Sequence, residues 1–186
     1  EAAGYRAWNF GDAINTGDKL YYNNRGKNIF LFRIGTENIN NGIRITAAHI
    51  DSPRLDLKPV PLYEENGMSF FKTHYYGGVR KYQWLAMPLA LHGVVVKQDG
   101  TVVDVVVGED ETDPVMYITD LLPHLARAQG GKTINEVFQA EKLNILVGSR
   151  PVDGEEKDAV KAGVLNYLNE KYGIAEDDFL SAELSI

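Results

Sequence analysis

Residues 45–57, ITAAHIDSPRLDL, place His49 and Asp51 two positions apart at the end of an apolar run. Residues two apart on a strand project from the same face. A metal-bound imidazole commonly gives its other N–H to a carboxylate, which fixes the ring and raises its basicity. A His-x-Asp pair at a strand end can therefore supply a metal ligand together with the group that orients it. The plainer reading of the pair is the polar end of a strand meeting solvent, and a motif this short does not by itself decide for metal.

The other groups capable of chemistry have simpler readings. His74 lies among strand aromatics and is expected to be a packed or surface strand residue, while His92 opens a Val-rich run and is expected to pack or hydrogen-bond locally. His124, on its own surroundings, is a helix-surface histidine. Glu155-Glu156 lies at an expected helix start, where acidic side chains favour the positive end of the dipole. Glu109-Asp110-Glu111-Thr112-Asp113 lacks the spacing of a calcium loop and reads as a solvated acidic loop. No Gly-x-Ser-x-Gly occurs, and Tyr76-Gly77-Gly78 lacks the Lys-Ser/Thr of a phosphate loop. With no cysteine, a transition-metal site must use imidazole and carboxylate.

The elements that must position these groups are mostly strands. Lys19–Tyr22 and Asn28–Ile34 flank the turn-rich Asn23-Asn24-Arg25-Gly26. Ile43–Ile50 is expected as a strand leading into the His-x-Asp pair. Pro53, Pro59 and Pro61 confine the next segment to edge or irregular extended structure. Met68–Tyr76 is strand-like, and Leu91–Lys97 with Thr101–Gly108 forms a hairpin about Asp99-Gly100. Short strands are expected at Val115–Ile118 and Asn144–Gly148, with a short helix near Pro123–Gln129. A long helix is expected over Glu155–Tyr172, capped by Asp153 with Glu156, striped by Val160, Val164, Leu165 and Leu168, and ended by Gly173. Phe179–Ile186 alternates like a half-buried strand.

Composition narrows the classes of function. With 186 residues, 44% hydrophobic and 24% charged, the chain can bury a core as one domain, or one domain and part of another. A net charge of -7 disfavours nucleic acid as a partner. No apolar stretch approaches a membrane span, and no signal peptide is visible. The absence of cysteine fits a reducing compartment, and a cytoplasmic location is expected. There is no initiator Met and the last strand pattern stops without a polar tail, so the chain is expected to be a piece of a longer protein.

Four stretches together resemble the aspartyl-aminopeptidase family of metallopeptidases: AAGYRAWNFGDAINTGDKLYYNNRGKNIFLFRIG, AAHIDSPRLDLKP, HYYGGVRKYQWLAMPLALHGVVV and LLPHLARA. The His-x-Asp-Ser-Pro element followed by Tyr-Gly-Gly is the specific part. The resemblance implies a dinuclear exopeptidase that removes an N-terminal residue, often acidic. It implies two zinc ions per intact subunit, with cobalt or manganese as alternative divalent ions. It also implies a peptide substrate and a large homo-oligomer. By this resemblance the fold is α/β, α+β within this chain, part of a catalytic sheet carrying an inserted β-rich lid and dimerisation domain. Residues 1–60 would open the catalytic domain, 61–178 would form the lid, and 179–186 would return to the catalytic sheet.

On the family's motif, His49 matches the first metal ligand and Asp51 the carboxylate that orients it at the catalytic centre. His124 matches a lid histidine that reaches the neighbouring subunit's active site and holds substrate. The family's bridging aspartate, paired catalytic glutamates and last aspartate and histidine ligands lie further along its chain, so the present chain alone is expected to be inactive. The alternatives are a non-catalytic β-rich lid that mediates oligomerisation, or a small β-rich ligand-binding protein with a buried His–Asp pair.

Overall fold

Asn24 and Lys27 close the first hairpin, the Lys27 N–H donating to the Asn24 carbonyl at 3.1 Å while the Asn23 side chain accepts the Gly26 N–H at 2.8 Å. The turn joins β2 (Lys19–Asn24) to β3 (Asn28–Arg33) in antiparallel register, and β1 (Arg6–Ala7) lies parallel to β2 on its other edge. Trp8, Phe10, Tyr22, Phe30 and Phe32 pack ring against ring beside this small sheet, Trp8 and Phe10 with centroids 5.1 Å apart. The computed structural model describes residues 3–186; Glu1 and Ala2 lie outside them. It divides into two compact units, one ending at Ile50 and the other spanning Asp51–Ile186.

The strand expected over Ile43–Ile50 is not formed. A single 3₁₀ turn at Ile39–Asn41 is followed by irregular, exposed chain as far as Pro53. β-branched residues supply propensity, but a strand also needs a neighbour to complete its ladder of hydrogen bonds. Among the described residues no strand pairs with this stretch.

The second unit is built on a six-stranded antiparallel sheet. In spatial order its strands are β7 (Val102–Val107), β6 (Leu91–Val96), β9 (Ala182–Ser185), β4 (Arg54–Glu65), β5 (Met68–Tyr76) and β8 (Ile145–Gly148). β4 runs through Pro59 and Pro61 by means of an irregularity between Leu57 and Leu62, where the pairing with β5 shifts. The prolines thus sit where the ladder is already interrupted, and β4 is an interior strand rather than an edge. The β6–β7 hairpin forms as expected, Leu91 facing Val107 and Val96 facing Val102. β9 pairs with β6 and β4 inside this sheet, within the stretch Phe179–Ile186 whose alternation marks a strand. Val115–Ile118 makes isolated bridges at Met116, Tyr117 and Ile118 instead of a continuous strand. The helix expected near Pro123 is reduced to a 3₁₀ turn at Ala126–Gln129.

The core gathers Leu55, Phe71, Leu91, Val95, Ile145 and Leu168 with their neighbours, none of these six more than 4% exposed. After α1 (Ile134–Val137), the long helix α2 (Ala159–Tyr172) lays Val160, Val164, Leu165 and Leu168 against the sheet, as its stripe predicts. It ends at Gly173, whose N–H donates to the Asn169 carbonyl at 2.7 Å. Its start is later than the capping-box reading. Asp158 adopts a left-handed conformation without a side-chain cap, and Asp153 and Glu156 take no part. The orphan N–H groups of Val160 and Lys161 donate instead to Glu64 of β4, each at 2.9 Å.

Candidate metal centre

The boundary between the two units falls inside the His-x-Asp motif, after Ile50. His49 is exposed in irregular chain. Asp51 is also exposed, but its side chain is held: Oδ2 accepts the phenol O–H of Tyr76 at 2.9 Å. That hydrogen bond to a carboxylate holds the Tyr76 phenol above its usual range. Across the β4–β5 pair, Arg54 faces Tyr76, and its guanidinium lies 4.1 Å from the Tyr76 ring centre while Nε donates to Asp56 at 2.7 Å. The cation over the ring face and the ion pair fix the tyrosine from one side.

His124 lies on an exposed turn ahead of Ala126–Gln129, flanked by exposed Leu122 and Leu125. The remaining histidines are engaged locally. His92 Nε2 is 3.0 Å from Glu109 Oε1, and His74 Nδ1 lies 3.8 Å from Glu141, which also accepts from Lys58 at 2.6 Å. The ammonium of Lys58 holds the Glu141 carboxyl below its ordinary value. Glu155 and Glu156 are exposed ahead of α2 and bind neither its N-terminus nor any histidine.

The acidic loop departs from its solvated reading at one residue. The Asp113 side chain is only 5% exposed; it accepts the Gly108 N–H and the Tyr167 O–H, each at 2.9 Å, and pairs with Lys171 of α2. The Lys171 ammonium holds the Asp113 carboxyl far below the usual carboxylate range. This aspartate ties the loop to the helix and is saturated by donors.

A cavity of about 640 Å³ opens between α2 and the sheet, lined among others by Phe71, Val107, Met116, Leu146 and Tyr167. None of His49, Asp51 and His124 borders it. Among the described residues, no three His, Asp or Glu side chains converge as a metal site would require. His49 nevertheless suits zinc as a single ligand: an exposed imidazole with an anchored carboxylate two residues on. Arg54 and Tyr76 do not stand out as functional in the sequence. Their signal is the joint presence of Tyr-Gly-Gly and His-x-Asp-Ser-Pro, whose contact only the fold reveals.

The model of the family described as "Aminopeptidase I zinc metalloprotease (M18)" matches residues 3–186. A relative from Clostridium acetobutylicum, "Probable M18 family aminopeptidase 1", is 55% identical over 177 residues, covering 95% of this chain and 38% of that protein. A relative of the same description from Thermotoga maritima is 48% identical over 176 residues, with the same two coverages of 95% and 38%. The crystal structure of the C. acetobutylicum aminopeptidase I superposes with a TM-score of 0.85 at 50% identity, covering 98% of this chain and 41% of that one. A yeast structure described as the S. cerevisiae mApe1 dodecamer shares the fold at 22% identity and a TM-score of 0.61, covering 97% of this chain and 40% of its own. The chain therefore spans about two fifths of the length of the curated relatives it matches. A sheet-based α/β fold, a family match over almost every residue and close relatives described as aminopeptidases lead to one assignment: the chain belongs to the M18 family of zinc metalloproteases.

Proposed function

We propose that this chain is the part of a metal-dependent aminopeptidase that contributes the first metal ligand, the carboxylate behind it and the substrate-contacting lid. The observation that carries the reading is the family match over residues 3–186, joined to an exposed His49 and a tethered Asp51 at its motif. One ring nitrogen of His49 would hold a zinc ion while the other donates to Asp51. When bound, zinc supplies Lewis-acid polarisation of a carbonyl and lowers the pKa of water. Catalytic zinc takes about three protein ligands, so the remaining ligands of a two-ion centre would come from further polypeptide. The substrate would be a peptide whose N-terminal residue, often acidic, is removed.

Residues 1–60 would open the catalytic domain, residues 61–178 with α2 would be the lid, and residues 179–186 would return to the catalytic domain. His124 would reach the active site of a neighbouring subunit and hold substrate there, and its exposed position on a turn supports that role. A homo-oligomer assembled through the lid and located in the cytoplasm completes the reading; the yeast relative is described as a dodecamer. Replacing His49 with Ala in the full-length protein tests it. The expected result is loss of bound zinc and of aminopeptidase activity with the oligomer intact; unchanged stoichiometry and rate would refute the ligand assignment.

A further inference from the structure

We propose that the Tyr76-Gly77 corner is a positioning element for Asp51, and through it for the His49 imidazole. The proposal rests on the roles given to His49 and Asp51 above. Residues 43–53 have no strand ladder, so the pleat of a sheet does not set the direction of the Asp51 side chain. The phenol of Tyr76 does so, at 2.9 Å from Oδ2. An ionised carboxylate only accepts, so the tyrosine must donate, and the carboxylate so oriented keeps Oδ1 and a second lone pair of Oδ2 able to receive an imidazole N–H.

Tyr76 is itself fixed from two directions. Its ring lies beneath the Arg54 guanidinium, 4.1 Å from its centre, and Arg54 is its register partner across the β4–β5 pair. Gly77 comes next with φ +76, and a Cβ there would stand 3.6 Å from the Pro53 Cα, so the corner packs directly on the backbone that leaves the motif. Asp51, Pro53 and Arg54 on one side thus meet Tyr76 and Gly77 on the other. The two most specific motifs of this chain are joined in space, and the second serves the first.

The test uses the full-length protein with Tyr76→Phe, Asp51→Asn, His49→Ala and the Tyr76→Phe/Asp51→Asn double variant. Tyr76→Phe keeps the ring under Arg54 and removes only the donor. Zinc affinity by chelator competition should fall about tenfold, as for other groups behind a metal ligand. kcat should fall with KM unchanged, and the melting temperature should hold. The double variant should be no worse than Asp51→Asn alone, because the hydroxyl acts only through that carboxylate. Wild-type zinc affinity and kcat in Tyr76→Phe, with Asp51→Asn impaired, would overturn the proposal and leave the reading of His49 and Asp51 standing. Additive losses in the double variant would also overturn it. Unchanged zinc stoichiometry in His49→Ala would overturn the site reading and this proposal together.

Discussion

The Glu64 carboxylate caps α2 at Val160, accepting its backbone N–H at 2.9 Å from a strand 96 residues away in the chain. The second acceptance, from Lys161, uses the same oxygen. An anion at a helix N-terminus meets both the unpaired donors and the positive end of the dipole. Glu64→Ala should lower stability by about 1 kcal/mol, the ordinary worth of a cap. Urea unfolding would register it as a lower midpoint at unchanged slope.

Asp113 makes a different prediction, because its effect depends on pH. Its folded-state pKa lies below the ordinary 3.8, first through the hydrogen bond from Lys171 and then through the Gly108 N–H. The unfolded chain therefore binds the proton more readily than the folded one. The stability that Asp113 contributes is complete above the unfolded value and is lost as the pH falls toward the folded value. Lys171 is raised above 10.5 by the same bond, so its contribution is complete below that value and is lost only as the pH rises through the folded one. Asp113→Asn should lower the urea midpoint at pH 7 and remove part of the acid slope below about pH 4. An unchanged acid slope would show that the latch does not carry it.

Gly93 lies where β6 pairs with β9, at φ +146, and a Cβ there would meet the Glu183 carbonyl oxygen at 1.9 Å. Backbone cannot yield as a flexible side chain can. Gly93→Ala should cost about 3 kcal/mol, at the upper end for overpacking, and should release β9 from the sheet. Hydrogen exchange at Leu184 and Ser185 would report the release.

The role proposed for His124 is tested by mixing subunits. His49→Ala and His124→Ala subunits of the full-length protein should each be poor aminopeptidases. On the role proposed for His124, a co-assembled site with intact His49 would receive His124 from its neighbour, and part of the activity should return. No recovery in confirmed mixed oligomers would place His124 outside the neighbour's site.

The present chain by itself should hydrolyse no N-terminal residue above background, because one imidazole falls short of the ligands a catalytic zinc needs. The full-length protein should lose activity to a chelator and regain it with zinc. Assaying both at equal subunit concentration separates the two cases, and equal rates would sink the expectation.

Features decided by neighbouring residues together are legible along the chain. Asp99-Gly100 between two Val-rich runs specifies the β6–β7 hairpin, since turn geometry and side-chain alternation are local. The stripe from Val160 to Leu168 marks the buried face of α2 for the same reason. The His-x-Asp and Tyr-Gly-Gly motifs mark the family without any coordinates. Contacts between distant segments are not legible. Glu64 displaces the local capping box because a remote carboxylate reaches the first free N–H groups of α2. Asp113 leaves solvent because Lys171, Tyr167 and the Gly108 N–H converge on it. Ile43–Ile50 has strand propensity and no partner among the described residues to pair with. The tethering of Asp51 by Tyr76 belongs with these: periodicity reports which face a residue occupies, and only the tertiary fold decides what stands opposite it.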